Sequence, residues 1–443
     1  MLNRAVAPTV LCALMSVAWV SAQTDPGPQQ GTGAAGRPLP RLTPTENAAF
    51  QEGANRFREL DSVTGTEPGA PSKGLGPRFN LNSCAGCHAH PAAGGSSPQT
   101  NPQIAVATEY GARNVVPAFI KASGPIRVAR FVLHADGAAD GGVSPLFTIA
   151  GRTDAGSCAL AQPDFGGALA HGNVIFRIPT PLYGAGLIEA IPDDAILANQ
   201  AANAQAKAAL GISGHANRNA NDGSISRFGW KAQVRSLEEF AAEAYNVEMG
   251  VSNALFRSER DGVGACALNA LPEDQMDFTQ NSPVRAMSDV SAFAEFMRWL
   301  APPNPPGQNP PAQNPSIGRG RQMFSQSGCD LCHSPVLTTG NTTSAALANQ
   351  PAPLFSDLLV HHMGTGLADS VTQGSAAGDE FRTAPLWGLG QRIYLLHDGR
   401  TTDLLQAIRA HASQGSEAAA SVAAFNALPA PSVQDVLNFL RSL

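Results

Sequence analysis

Gly328-Cys329-Asp330-Leu331-Cys332-His333 opens the stretch, running on to His411, that decides how this chain is read. Two thiols three residues apart, followed at once by an imidazole, form the C-x-x-C-H pattern of covalent c-type haem attachment. The thiols reach the two vinyl groups of one porphyrin as thioethers, and the imidazole lies against the iron as its proximal ligand. The pattern recurs as Cys84-Ala85-Gly86-Cys87-His88. With only seven cysteines and ten histidines in 443 residues, two matches are not an accident. A zinc site built from the same four cysteines would leave the histidine after each pair unexplained. The sequence therefore predicts two covalently bound haem c groups. Cys84, Cys87, Cys329 and Cys332 attach them, and His88 and His333 ligate the irons.

Composition narrows the setting. Charged residues make up 14% of the chain, well below the roughly 25% of an average soluble protein. With 44 Gly and 34 Pro, much of the chain is expected to be loop. A formal charge of −6 gives no basic excess and argues against a nucleic-acid partner. Residues 1–22 read as a secretory signal peptide: Arg4, an apolar run from Ala7 to Val20, and Val20-Ser21-Ala22 as cleavage site. That run is short of the ~20 residues needed to span a bilayer, and no later run is longer. The mature chain is expected to be periplasmic or secreted, with no stable membrane span. Cys12 leaves with the signal and four cysteines hold haem, so Cys158 and Cys266 remain. In an oxidising compartment such a pair is more often a disulfide than two free thiols.

The fold class expected is mainly α, with two cytochrome c-like haem domains and long irregular insertions in the N-terminal one. Residues 23–42, polar and rich in Pro and Gly, read as a flexible leader. The N-terminal domain is expected over 43–301. Thr43 to Leu60 looks helical, with Thr45 as N-cap and Phe50, Ala54 and Phe57 on one stripe. Residues 89–175 and 211–227 read as irregular insertions, with a β-like run from Ile126 to Leu133. Helices are expected from the turn at Gly184 to about Ala206, over Ser236–Tyr245, and over Val290–Leu300. Residues 302–315 hold seven prolines in fourteen positions and read as the linker. The C-terminal domain, 316–443, is expected to hold helices over Ile317–Ser325, Phe355–Val360 and Val433–Leu443. Leu404, Ile408 and His411 share one face of another, which turns His411 toward the core.

These residues resemble the bacterial di-haem cytochrome c peroxidase superfamily, in particular its di-haem oxidoreductase branch, also described as thiol oxidoreductase-like. Phe355-Ser356-Asp357-Leu358-Leu359-Val360-His361-His362-Met363-Gly364 looks like the family's F-x-D-L-x-x-H-[DN]-[IM]-G segment. Phe381-Arg382-Thr383 and His397-Asp398-Gly399-Arg400 look like its F-R-T and H-D-G-R segments. Arg177-Ile178-Pro179-Thr180-Pro181 through Pro192 fits the oxidoreductase branch.

The resemblance implies roles for single residues. The sixth ligand of the C-terminal haem falls fourteen residues after the His of H-D-G-R. That position is His411, so a His333/His411 pair is expected, with Met363 as second candidate. Trp230 stands where the family has a Trp between the haems that relays electrons. Glu248-Met249-Gly250 looks like the family's E-M-G, whose Glu is the acid–base group at the first haem. Phe240 stands where the family has a catalytic-side Gln. Ca²⁺ between the haems is usual in peroxidases. Thr383 and Pro385 fit two carbonyl donors, whereas Ile178 replaces an expected Asn.

The function expected is a di-haem oxidoreductase of peroxidase type, reducing peroxide or another small oxidant. Electrons would enter from a small redox donor protein or a quinol-linked cytochrome and pass from the C-terminal haem to the N-terminal one. The alternatives are a pure electron carrier, with His90, His134, His171 or His215 filling the first haem's open position, and an oxygenase or protein-modifying enzyme.

Overall fold

The computed structural model describes residues 23–112, 115–139, 152–259, 264–303 and 314–443. The signal-peptide segment and most of the 302–315 linker lie outside the described residues. Helices dominate, and the named strands pair as three two-stranded antiparallel sheets.

Helix Pro44–Arg58 is capped by Thr43 rather than Thr45. The Thr43 hydroxyl accepts the Glu46 N–H at 3.2 Å, and the Glu46 carboxylate accepts the Thr43 N–H at 2.7 Å. This reciprocal box satisfies two otherwise orphaned donors. The helix packs on Asp289–Trp299 through Phe57 and Phe296, whose ring centroids are 4.7 Å apart. Gly53 permits that approach, since a Cβ there would lie 2.1 Å from the Ala292 carbonyl oxygen. Helix Leu237–Met249 starts under a Ser236 cap, with its hydroxyl accepting the Glu239 N–H at 3.2 Å. It stops at Gly250, whose φ of 76° is left-handed and costs a glycine little.

In the C-terminal part, Pro315–Gln326 packs on Ala430–Leu440, with Phe324 and Phe439 at 5.5 Å. A second apolar core forms around this pair. The first core does not stop at the expected linker, because it takes in Leu337, Leu347, Leu354, Leu358 and Trp387.

Three further sequence expectations are corrected. The span from Gly184 to Ala206 is broken into Ala185–Ala190, Asp193–Ala201 and a helix starting at Ala204. Phe355–Val360 is not a helix: Phe355 and Leu358 have φ of 53° and 62°, and Val360 begins a short strand against Glu380–Arg382. The 23–42 stretch is not a loose leader. Asp25 pairs with the nearly buried Arg441 at 2.7 Å, and Leu39 N–H bonds the Trp299 carbonyl at 2.7 Å.

Within the first insertion, Val128–Phe131 pairs with Val174–Arg177, setting Val128 opposite Arg177. Alternation along the strand puts Arg130 on the same face as Val128. Cys158 and Cys266 are joined as a disulfide across 108 residues of sequence. Replacing both by Ala is expected to cost roughly 2–5 kcal/mol, the usual loss for such a bond. Denaturant unfolding of the variant against the oxidised parent measures it, and an unchanged midpoint would contradict it.

Candidate functional site

Two cavities lie on either side of Trp230, which lines both. Their open space, mouths included, is ≈ 1110 and ≈ 1360 Å³. Both are lined mainly by apolar side chains.

The first cavity has Cys84, Cys87 and His88 on its wall. Ser83 starts the Cys84–Cys87 turn by accepting the Gly86 N–H at 3.2 Å. Gly86 lets Leu81 pack close, since a Cβ there would lie 2.3 Å from the end of the Leu81 side chain and displace it. The turn closes with His88 N–H on the Cys84 carbonyl at 3.0 Å, which sets the imidazole beside both thiols. His88 Nδ1 lies 3.0 Å from the Gly95 carbonyl oxygen. Burial pushes the His88 pKa down to about 4, against the opposing pull of the Gly95 and Thr180 carbonyls. A neutral ring that donates from Nδ1 keeps the Nε2 lone pair for a metal.

Glu248, Glu243, Arg130, Arg177, Gln233 and Phe240 also line this cavity. Glu248 is held at both oxygens. Its Oε1 lies 3.2 Å from Arg130 Nη2, and its Oε2 accepts the Asn80 amide at 2.7 Å. Phe240 stacks on Phe228 at 5.8 Å and offers no hydrogen bond. None of His90, His134, His171 or His215 lines the cavity. His90 bonds the Gln391 carbonyl at 2.8 Å, and His215 pairs with Glu380 at 2.8 Å.

The second cavity brings together Cys329, Cys332, His333, Met363, His397 and His411. His333 Nδ1 lies 2.9 Å from the Phe355 carbonyl oxygen, and burial pushes its pKa down to about 4. His411 ends helix Leu404–Ala410, with Nδ1 2.7 Å from the Ala407 carbonyl oxygen. Burial lowers its pKa as well. Each ring thus has Nδ1 engaged and Nε2 spare. His361 also lines this cavity but is clamped, Nδ1 to Glu417 at 2.8 Å and Nε2 to Asp357 at 3.0 Å. His397 stacks on Phe381 at 4.3 Å.

The family described as "Di-haem oxidoreductase, putative peroxidase" matches residues 129–443. The chain belongs to that family. The matched range contains Trp230, Glu248, the Cys329–His333 motif and His411, and Cys84–His88 precede it. Among solved structures, hydrazine synthase of Kuenenia stuttgartiensis is 14% identical, with 99% of this chain and 100% of that one covered and a TM-score of 0.38. The di-haem peroxidase BthA of Burkholderia thailandensis is 15% identical over 49% of this chain and 65% of its own, at a TM-score of 0.29. A MauG-like protein associated with microbial copper homeostasis is 17% identical over 51% and 73%, at 0.28. At these scores the three likenesses carry no argument here. No curated protein matches the chain.

The residues of this di-haem oxidoreductase fit haem in a further respect. Arg177 Nε and Arg382 Nη1 are buried without a hydrogen-bond partner, and their side chains line the first and second cavities respectively. Arg392 lines the second cavity too, and no carboxylate pairs with Arg382 or Arg392 among the described residues. Burial pushes both of these guanidiniums down to about 10. Buried cations of this kind call for an anionic partner, and the carboxylates of a porphyrin would supply one.

Ca²⁺ does not fit. It takes six to eight oxygens, with carboxylates among them. Here the Ile178 carbonyl accepts the Trp230 indole N–H at 3.0 Å, and the Thr383 carbonyl accepts the Ser356 hydroxyl at 2.5 Å. The one cluster of metal-ligand type among the described residues is Cys332, Asp357 and His361, and its His is already clamped.

Sequence reasoning missed Glu243, Arg130, Asn80 and the arginine pair. Arg382 stood in plain view in the F-R-T segment. Its missing partner became visible only once the chain was folded.

Proposed function

We propose that this protein is an exported di-haem c-type oxidoreductase that reduces peroxide in its His88 cavity. Two cytochrome c-like units hold the haems, through Cys84 and Cys87 in one and Cys329 and Cys332 in the other. His88 and His333 are the proximal ligands, and His411 is the sixth ligand of the second haem. The observation that carries this reading is an asymmetry. One cavity offers a single imidazole and two carboxylates, while the other has four imidazoles, among which His333 and His411 each set Nδ1 on a backbone carbonyl and keep Nε2 spare. A bis-histidine site suits electron transfer, whereas a site with one imidazole leaves a position open for a small oxidant.

When bound, the haem at His88 supplies an iron for a peroxide oxygen and the electrons that break the O–O bond. The protein's part is proton handling and insulation. Glu248, paired with Arg130, accepts the proton of the inner peroxide oxygen by general base catalysis. Phe57, Phe240 and Phe293 keep the cavity apolar, which strengthens that charge pairing. Electrons come from a small donor protein and pass from the His333 side to the His88 side, with the Trp230 indole between them. Export rests on residues 1–22. No helix among the described residues is long and apolar enough to cross a membrane.

Low-temperature EPR of the oxidised protein tests the asymmetry. One high-spin and one low-spin signal are expected, and two low-spin signals would favour the electron carrier. His411→Ala is expected to move the second haem from low-spin to high-spin or water-bound. An unchanged low-spin spectrum would transfer the ligand role to Met363, which lines the same cavity.

A further inference from the structure

We infer that Glu243 holds the proton delivered to the departing peroxide oxygen in the His88 cavity, with Glu248 as its ionised counterpart. This deepens the peroxide reading and rests on it.

Both carboxylates project from helix Leu237–Met249 into the same cavity, yet their surroundings differ. Glu248 has one oxygen on a guanidinium and the other on an amide donor. Both contacts require an acceptor, so protonating Glu248 would cost one of them. Glu243 has no hydrogen-bond or ion-pair partner among the described residues, so only the charges of Arg130 and Arg177, at longer range, favour its ionised form. The charges around it are Glu239 and Glu248 on its own helix, with Arg130 and Arg177 on the two facing strands. Burial dominates this balance and raises its pKa above the ordinary glutamate value. Two carboxyl groups in one cavity, one bound by two donors and the other without a partner, are placed to divide base and acid roles between them.

Phe240 sharpens the assignment. It fills a position of the cavity wall with an apolar ring and leaves that position without a donor. Glu243 follows three residues later, a neighbour on the same face of the helix. Gln233 also lines the cavity, but an amide has no proton to transfer at neutral pH.

The balance is complete. The inner oxygen's proton passes to Glu248, the O–O bond breaks, and the outer oxygen leaves as water with the Glu243 proton. The second oxygen then takes the Glu248 proton and one from solvent, while solvent reprotonates Glu243. Each peroxide consumes two protons and two electrons, the electrons coming from a reduced donor protein, and yields two waters.

The sign of the pH effect follows. Glu243 acts while protonated, so the rate falls as pH rises through its raised pKa. Glu243→Gln is expected to slow the reaction of the half-reduced holoprotein with hydrogen peroxide about 10²–10⁴-fold and to abolish that decline. Infrared spectra of the resting holoprotein supply a readout independent of turnover. A component of the protonated-carboxyl band that persists above the ordinary glutamate range, distinct from that of the buried Asp61, should vanish in Glu243→Gln and remain in Glu248→Gln. Should Glu243→Gln fail to retain haem, Glu243→Asp serves instead, and must shift both the band and the pH decline. A Glu243→Gln protein with wild-type rate, pH profile and band overturns the inference and leaves the peroxide reading standing. A wild type that does not react with peroxide overturns the reading itself, and the delivery step with it.

Discussion

Glu248→Gln is expected to lower peroxide turnover about 10²–10⁴-fold, the usual worth of a positioned acid–base group, with haem content unchanged. The substitution keeps an acceptor for the Asn80 amide but removes the charge that faces Arg130. If Glu248 were only an ion-pair partner, the variant would lose stability and keep its turnover per folded molecule. Stopped-flow rates and unfolding midpoints on the same preparations separate the two outcomes. Equal rates in wild type and variant would remove Glu248 from the proton route.

The second large effect lies far from the cavities. Asp25→Ala is expected to cost about 3–5 kcal/mol, because it strands a buried guanidinium. The pair's side chains are only 7% and 2% exposed. Asp25 also accepts the N–H groups of Leu404 and Gly27, at 2.8 and 2.9 Å, so it ties the N-terminal segment to a helix start as well. Burial by itself would raise the Asp25 pKa. The Arg441 guanidinium and the two amides more than reverse that and leave it below the ordinary value of 3.8. A carboxylate with a depressed folded pKa contributes stability above its unfolded value and loses it as pH falls through the folded one. Denaturant midpoints measured at neutral pH and at pH near 3 should therefore converge between wild type and Asp25→Ala. A constant difference would contradict the ion pair.

The same pair shows why part of the fold was hidden in the sequence. Residues 23–42 carry no apolar period and many turn formers, so local reading made them a leader. Their order comes from Arg441, 416 positions away, which no local pattern records. The haem motifs were legible for the opposite reason, since attachment chemistry fixes a spacing within five residues. Helix Asp289–Trp299 was legible, as Val290–Leu300, from the apolar stripe of Phe293, Phe296, Met297 and Leu300. Phe355–Val360 has helix-like apolar content, but the left-handed turn at Phe355 goes with a carbonyl that holds His333 Nδ1. Tertiary demand there overrides propensity. Glu243 could be read as a helix residue, but nothing in the sequence said that it faces a cavity instead of water.

The most direct test of the central claim mixes half-reduced protein with hydrogen peroxide in a stopped-flow spectrometer. Peroxide reduction at the His88 site, fed from the His333 side, predicts rapid oxidation of the reduced haem together with a change in the high-spin spectrum of the other. Spectra of both haems that stay unchanged over the peroxide exposure would contradict it.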